Sequence, residues 1–381
     1  MEPARPEIAG ARPYRIGIVG SYGGLNLGDE AILQSIVQQI RASLPAHITV
    51  FSRDADDTLA RHAIDLAVPT RQLARHELVP LIEPLDLLIV GGGGILFDAE
   101  ARMFLREALI AQELRVPFMT YAVGAGPLQD PATQRTVRDC LADAALVTVR
   151  EASARQVLEA AGLRREIVVT ADPALLLAAE PLARDALPPE SVEWAGPVVG
   201  MSVRERGGAA PDVSEDVYHQ LLANAADFMV DRYGAEIVFV PMERGVLDMQ
   251  HSHAVVSRMQ QPQRAAVLKG RYTPGELMTL IGRFSFAVGM RLHFLIFSAL
   301  RRIPFVALPY AAKVGGFLDQ IGISAPPYEM SSAGRLIAHI DRSWDQREAL
   351  TARINTALPA LQASARRTHE LMLGLLGVRA G

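Results

Sequence analysis

Cysteine is almost missing from this chain. The single thiol, Cys140, excludes an internal disulfide and any cysteine-based metal site, and makes a reducing cytoplasm the expected compartment. Lysine is nearly missing too: among 38 basic residues it occurs only as Lys269 and Lys313. A chain that uses Arg for almost every cation hints at a place for Lys313 where a compact ammonium fits and a planar fork does not. Also lacking is any run of ~18 uncharged apolar residues, so no segment is expected to span a membrane. The first residues, MEPARPEIAGARP, have no apolar signal-peptide core. Positive charge is not in excess. A formal net charge of −4 argues against bulk nucleic-acid binding while leaving room for a local cationic pocket. No metal-ligand spacing is visible, so no metal is expected; His251 and His253 fall in a polar stretch that reads as exposed.

What is present is ordinary globular material: 381 residues, 50% hydrophobic and 21% charged. That length suggests two domains, each with its own core. Short apolar runs alternate with helical patterns, which predicts parallel sheets. Residues 1–13 read as a disordered tail. Residues 14–180 read as a first Rossmann-like domain, 181–195 as a Pro- and charge-rich linker, and 196–343 as a second such domain. Residues 344–381 read as a helical segment free to return to the first domain. The fold class is therefore α/β, two Rossmann-like domains with parallel sheets, GT-B-like, with a cleft between domains.

In the first domain, Arg15–Gly20 predicts a strand, followed by a Gly-rich turn and a helix from about Leu27. The turn is neither GxGxxG nor a Walker loop. Asp29 and Glu30 would repel a phosphate there, so the helix start suits sugar hydroxyls or is a plainly capped helix. Asp86–Val90 runs into Gly91–Gly94, and Pro117–Val123 into Gly124–Gly126; glycines at a strand end admit a ligand or a crowding neighbour. Ala101–Leu114 reads as one helix. Arg150 directly follows the strand Leu146–Val149, where it either faces the carboxyl-end crevice or pairs with Glu151 or Asp172. In the second domain Arg204 and Arg206 follow the strand Pro197–Val203. Met242–Asp248 reads as a loop able to close over the cleft. Thr273 and Glu276 predict a capping box. Met290–Leu300 reads as a buried helix with Arg291 and His293 in its first turn, and Lys313 lies beyond the strand Pro304–Leu308. Gly315 and Gly316 beside it read as room for a ligand.

Three separated motifs, Gly23–Ala31 (GGLNLGDEA), Val149–Ser153 (VREAS) and Arg291–Phe317 with Tyr310 and Lys313, resemble the bacterial polysaccharide pyruvyl transferases, over roughly 14–320. The resemblance implies transfer of the pyruvyl group of phosphoenolpyruvate onto sugar hydroxyls of a cell-envelope or exopolysaccharide glycan, as a ketal, with release of phosphate. It implies donor binding by Arg150, Arg291, His293, Lys313 and, more weakly, Arg204, with His293 as proton donor, assisted by Arg291 and Asp29. Acceptor binding falls to Gly24, Asn26, Gly28, Asp29, Glu30, Gly92 and Gly93. Phosphoenolpyruvate is then a substrate and no cofactor is required. The partners are phosphoenolpyruvate and a glycan or lipid-linked sugar, without nucleic acid. Peripheral docking at the inner face of the cytoplasmic membrane and the oligomeric state stay open. Two alternatives remain: a GT-B glycosyltransferase using a sugar nucleotide, and a non-catalytic glycan- or anion-binding module on the same fold.

Overall fold

The computed structural model describes residues 12–182, 196–205, 214–243, 246–308, 312–324 and 333–378. Most of the expected tail and linker, together with Arg206 and Tyr310, lie outside the described residues. The chain divides into two compact units, and the division is not contiguous in sequence. The first holds Met1–Gly24, Asp29–Leu177 and Leu361–Gly381; the second holds Leu25–Gly28 and Ala178–Ala360. The helix Arg347–Leu375 therefore passes from one unit to the other, with Pro359 just before the crossing.

The first unit is built on strands β1 (Tyr14–Val19), β2 (Ala46–Ser52), β3 (Leu66–Pro69), β4 (Leu87–Val90), β5 (Gly93–Leu96), β6 (Phe118–Ala125), β7 (Leu146–Val149) and β8 (Val168–Val169). Their order is β3-β2-β1-β4-β6-β7-β8, with β5 also on β6, and every pairing is parallel. Strands such as β4 are apolar throughout because helices cover both faces of a parallel sheet. The order turns back on itself between β1 and β4, which creates a crevice at their carboxyl ends. The strand β5 is absent from the sequence expectation. It resumes the register of β4 on β6, Val90 opposite Thr120 and Gly93 opposite Val123, after a break at Gly91-Gly92. The helix expected over Ala101–Leu114 is two, Ala101–Phe104 and Arg106–Leu114, broken at the fully buried Leu105. Within this unit the C-terminal helix is fastened by Thr368 on Thr170 at 2.8 Å and His369 on Ser43 at 2.8 Å.

The second unit repeats the plan with β9 (Val198–Ser202), β10 (Glu236–Phe239), β11 (Ala265–Val267), β12 (Phe286–Gly289) and β13 (Phe305–Ala307). The order is β11-β10-β9-β12-β13, all parallel, so its crevice lies between β9 and β12. The capping box forms: Thr273 Oγ1 accepts from the Glu276 N–H and Glu276 accepts from the Thr273 N–H. Two expectations need correction. The stretch read as a loop, Met242–Asp248, ends inside a helix, Val246–Val256, and Asp248 is fully buried. Lys313 to Phe317 also lie in a helix, Ala312–Ile321; a side chain at Gly315 would meet only open space, so that glycine is not there for close approach.

Candidate functional site

In the first unit the residues after β1 are pinned by a buried carboxylate. Glu30, in the first turn of the helix Leu27–Ser43, accepts from the Gly23 N–H at 2.9 Å and pairs with His62 Nε2 at 2.7 Å. Gly23 sits at φ 68°, with Ser52 and Asp54 too close to admit a side chain. Glu30 is thus directed into the protein. Its neighbour Asp29 reaches the other strand end: a Cβ at Gly93, itself at φ 99°, would lie 3.2 Å from Asp29 Oδ1. Gly92 is closed in by Ile32 and the Tyr121 carbonyl, and Gly24 by the Arg53 guanidinium. Tyr22 is fully buried; burial pushes its pKa far up, and Asp29, Glu30 and Asp172 push it further.

Arg150 is buried at the end of β7. Its Nε donates to Glu151 at 2.7 Å and its Nη1 to Asp172 at 3.0 Å. Burial works against its charge, but the two carboxylates more than offset that and raise its pKa. Beside the crevice-facing reading, the sequence offered a pairing with Glu151 or Asp172, and the structure has Arg150 paired with both. A side chain at Gly124 would strike the Arg150 guanidinium, 2.9 Å from Nη2, so that strand-end glycine makes room for the arginine.

In the second unit Arg291 leaves β12 as the N-cap of the helix Leu292–Leu300. Its Nε and Nη2 fork onto Asp248 at 3.0 and 2.5 Å, and Nη2 also donates to Glu243 at 2.7 Å. Asp248 accepts the backbone N–H groups of Met242 and Glu243 as well, both at 3.1 Å. Asp248 is the organising residue that the sequence left in a loop; nothing in its spacing marks it. The Asn26–Gly28 segment belongs to this unit. Asn26 bridges to Glu243, Leu27 N–H donates to the Met242 carbonyl at 2.8 Å, and Asn26 Oδ1 accepts from the Gly28 N–H at 3.0 Å. Gly28 lies against the half-buried His293 ring: a Cβ there would sit 2.0 Å from Nδ1. Asn26, Gly28, Arg291 and His293 are therefore brought together. Arg204, just past β9 on the other side of this unit's crevice, pairs with Glu205. Lys313 is half-buried in the first turn of its helix.

His251 is buried, not exposed, because it sits on the inner face of the helix Val246–Val256, one turn from Asp248. Its Nδ1 meets His219 Nε2 at 2.8 Å, a hydrogen-bond distance that needs one ring to donate and the other to accept. Burial, followed by the charge on His251, pushes the His219 pKa down. Glu215 joins them, and this trio is the one group of three among the described residues whose potential metal-ligand atoms all lie within 4.8 Å of one another. Cys140 is inert: burial pushes its thiol up to about 12.

Two Rossmann-like units with all-parallel sheets define a GT-B-like protein, and known structures share that plan. A glycosyltransferase from Rickettsia africae is similar at a TM-score of 0.62 with 12% identity, covering 96% of this chain and 99% of that one. HepE from Anabaena, solved in complex with UDP and glucose, is similar at 0.63 with 15% identity, covering 96% and 100%. At these identities the likeness shows the fold alone. Residues 26–311 match the sequence profile of the polysaccharide pyruvyl transferases, and the chain belongs to that family. The amylovoran biosynthesis protein AmsJ of Erwinia amylovora is 22% identical over 312 residues, 77% of this chain and 73% of that protein. Among the described residues no helix is long and apolar enough to cross a membrane.

Proposed function

We propose that this member of the family takes its pyruvyl group from phosphoenolpyruvate and attaches it as a ketal to a sugar of a cell-envelope or exopolysaccharide glycan, in the cytoplasm. The observation that carries this reading is the Arg291–His293 pair, with the guanidinium plane fixed by Asp248 and the imidazole laid on Gly28. Arg291 grips an anionic group of the donor. Its two carboxylate partners differ: the Asp248 side chain is 0% exposed and the Glu243 side chain 35% exposed. Glu243 is the partner that a donor carboxylate or phosphate displaces, while Asp248 holds the fork in place. Lys313 and Arg204 are the further cations in this unit assigned to the donor anions.

His293 gives a proton to C3 of the enolpyruvyl group as a sugar hydroxyl adds to C2 and gives up its own proton, Asp29 being the residue assigned to accept it. A second hydroxyl then attacks C2, the bond between C2 and the phosphate oxygen breaks, and inorganic phosphate leaves with the bonding pair and takes up the proton of that hydroxyl. The test is thermal stabilisation and phosphate release with phosphoenolpyruvate, set against sugar nucleotides. His293→Ala is expected to cut turnover by about 10²- to 10⁴-fold while the protein stays folded. Stabilisation by a sugar nucleotide and not by phosphoenolpyruvate would overturn the donor assignment.

A further inference from the structure

The first unit holds a cavity of about 300 Å³ at the carboxyl end of β1, walled by Arg53, Arg71, Arg106, Met103, Phe104 and Glu107. None of these arginines stands out in sequence, because 53, 71 and 106 lie on three different connections. Their surroundings differ from those of Arg150. Arg106 is spent on structure: its Nη2 donates to Thr70 Oγ1 and to the buried Glu107, each at 2.8 Å. Arg53 lies over the Phe104 ring, 5.8 Å from its centroid, donates to Ser21 Oγ at 3.2 Å and reaches Glu100 only at 3.7 Å. Arg71 makes no hydrogen bond or ion pair among the described residues. Its pKa is lowered by burial and then by the charge of Arg53, with Glu100 easing it. Two guanidinium groups thus repel each other in one cavity, and a bound anion would relieve them.

We propose that this cavity is an acceptor subsite for a sugar bearing an anionic group, a carboxylate or a phosphate, held by Arg53 and Arg71. Arg suits the flat bidentate grip that both anions offer. Met103 and Phe104 supply apolar wall for the carbon face of a sugar ring, and the volume admits one such ring. Calling the ligand an acceptor rests on the function proposed above; the anion site itself rests on the cavity.

The experiment is calorimetric titration of the full chain with glucose, glucuronic acid, glucose 1-phosphate and inorganic phosphate, and separately with phosphoenolpyruvate. At least one anionic sugar is expected to bind at least about tenfold tighter than glucose, and the better of the two names the source of the charge. Arg71→Gln and Arg53→Gln are expected to remove that advantage and leave phosphoenolpyruvate affinity unchanged. Equal affinity for glucose and both anionic sugars overturns the proposal, as does an advantage that survives in both variants. Inorganic phosphate binding as tightly as glucose 1-phosphate overturns the sugar subsite, leaving an ion site only. Should phosphoenolpyruvate give no heat while the anionic sugar binds through Arg71, the cavity stands and the donor assignment falls.

Discussion

Arg150 and Arg71 both belong to the first unit, and both lie near strand ends, yet they are opposites. Arg150 is enclosed by two buried carboxylates at hydrogen-bond distance. Arg71 has no carboxylate at hydrogen-bond distance among the described residues, and the charge of Arg53 presses on it more than Glu100 relieves it. The first arrangement neutralises a charge and fixes its plane; the second leaves a charge that gains from any anion. Arg291 stands between them, with one carboxylate sealed in and one half-open. An arginine at a strand end is therefore not informative by itself. Its counter-ions, and how readily they yield, decide whether it supports the fold or is ready for a ligand.

The contrast can be broken in several ways. Arg150→Met leaves Glu151 and Asp172 buried without their cation, and is expected to cost about 3–5 kcal/mol in chemical denaturation. A loss under 1 kcal/mol would show that the two carboxylates do not depend on it. A buried base without such counter-ions should behave differently. Among the described residues His369 hydrogen-bonds only to Ser43 Oγ, and burial, opposed by Glu370, brings its pKa down to about 4. A histidine lowered from its usual ~6.5 stabilises the fold above that value and loses the contribution as pH falls toward 4, about 3 kcal/mol in all. His369→Gln should flatten that acid limb in thermal melts; an unchanged limb would assign it to other groups. Glu243→Gln removes the yielding partner of Arg291, so phosphoenolpyruvate should bind several-fold tighter, about 1 kcal/mol, in equilibrium titration. Weaker binding would mean that Glu243 orients the arginine instead of competing for it. Arg71→Gln should leave stability within about 0.5 kcal/mol of the parent, since no described partner is lost.

Much of this was legible in the chain. The βα alternation, the parallel sheets and the capping box at Thr273 are local patterns, and local patterns survive into the fold. The family lay in three short motifs. Legibility failed where a residue's meaning comes from remote neighbours. Asp248 looked like loop because the partner that gives it meaning, Arg291, lies 43 residues further along the chain. His251 looked exposed because it stands between Gln250 and His253, which are exposed, while the partner that buries it, His219, is remote in sequence. The strand β5 hid behind glycines whose weak strand preference is overridden by pairing with β6. Glycines 91 to 94 signalled closeness correctly but not its cause: among the groups near them are the Tyr22 hydroxyl, the Ile32 side chain and the Asp29 carboxylate.

The contact between Gly28 and His293 has a hereditary consequence. Any side chain at position 28 would occupy the space of the imidazole ring. The two positions, 265 residues apart along the chain, should therefore drift as one character: a descendant that gave up the imidazole for something smaller would be released to accept alanine at 28, and one that kept it would not. Deep mutational scanning of position 28 in the His293 and His293→Ala backgrounds would show whether the glycine is inherited for its own sake or for the ring it shelters.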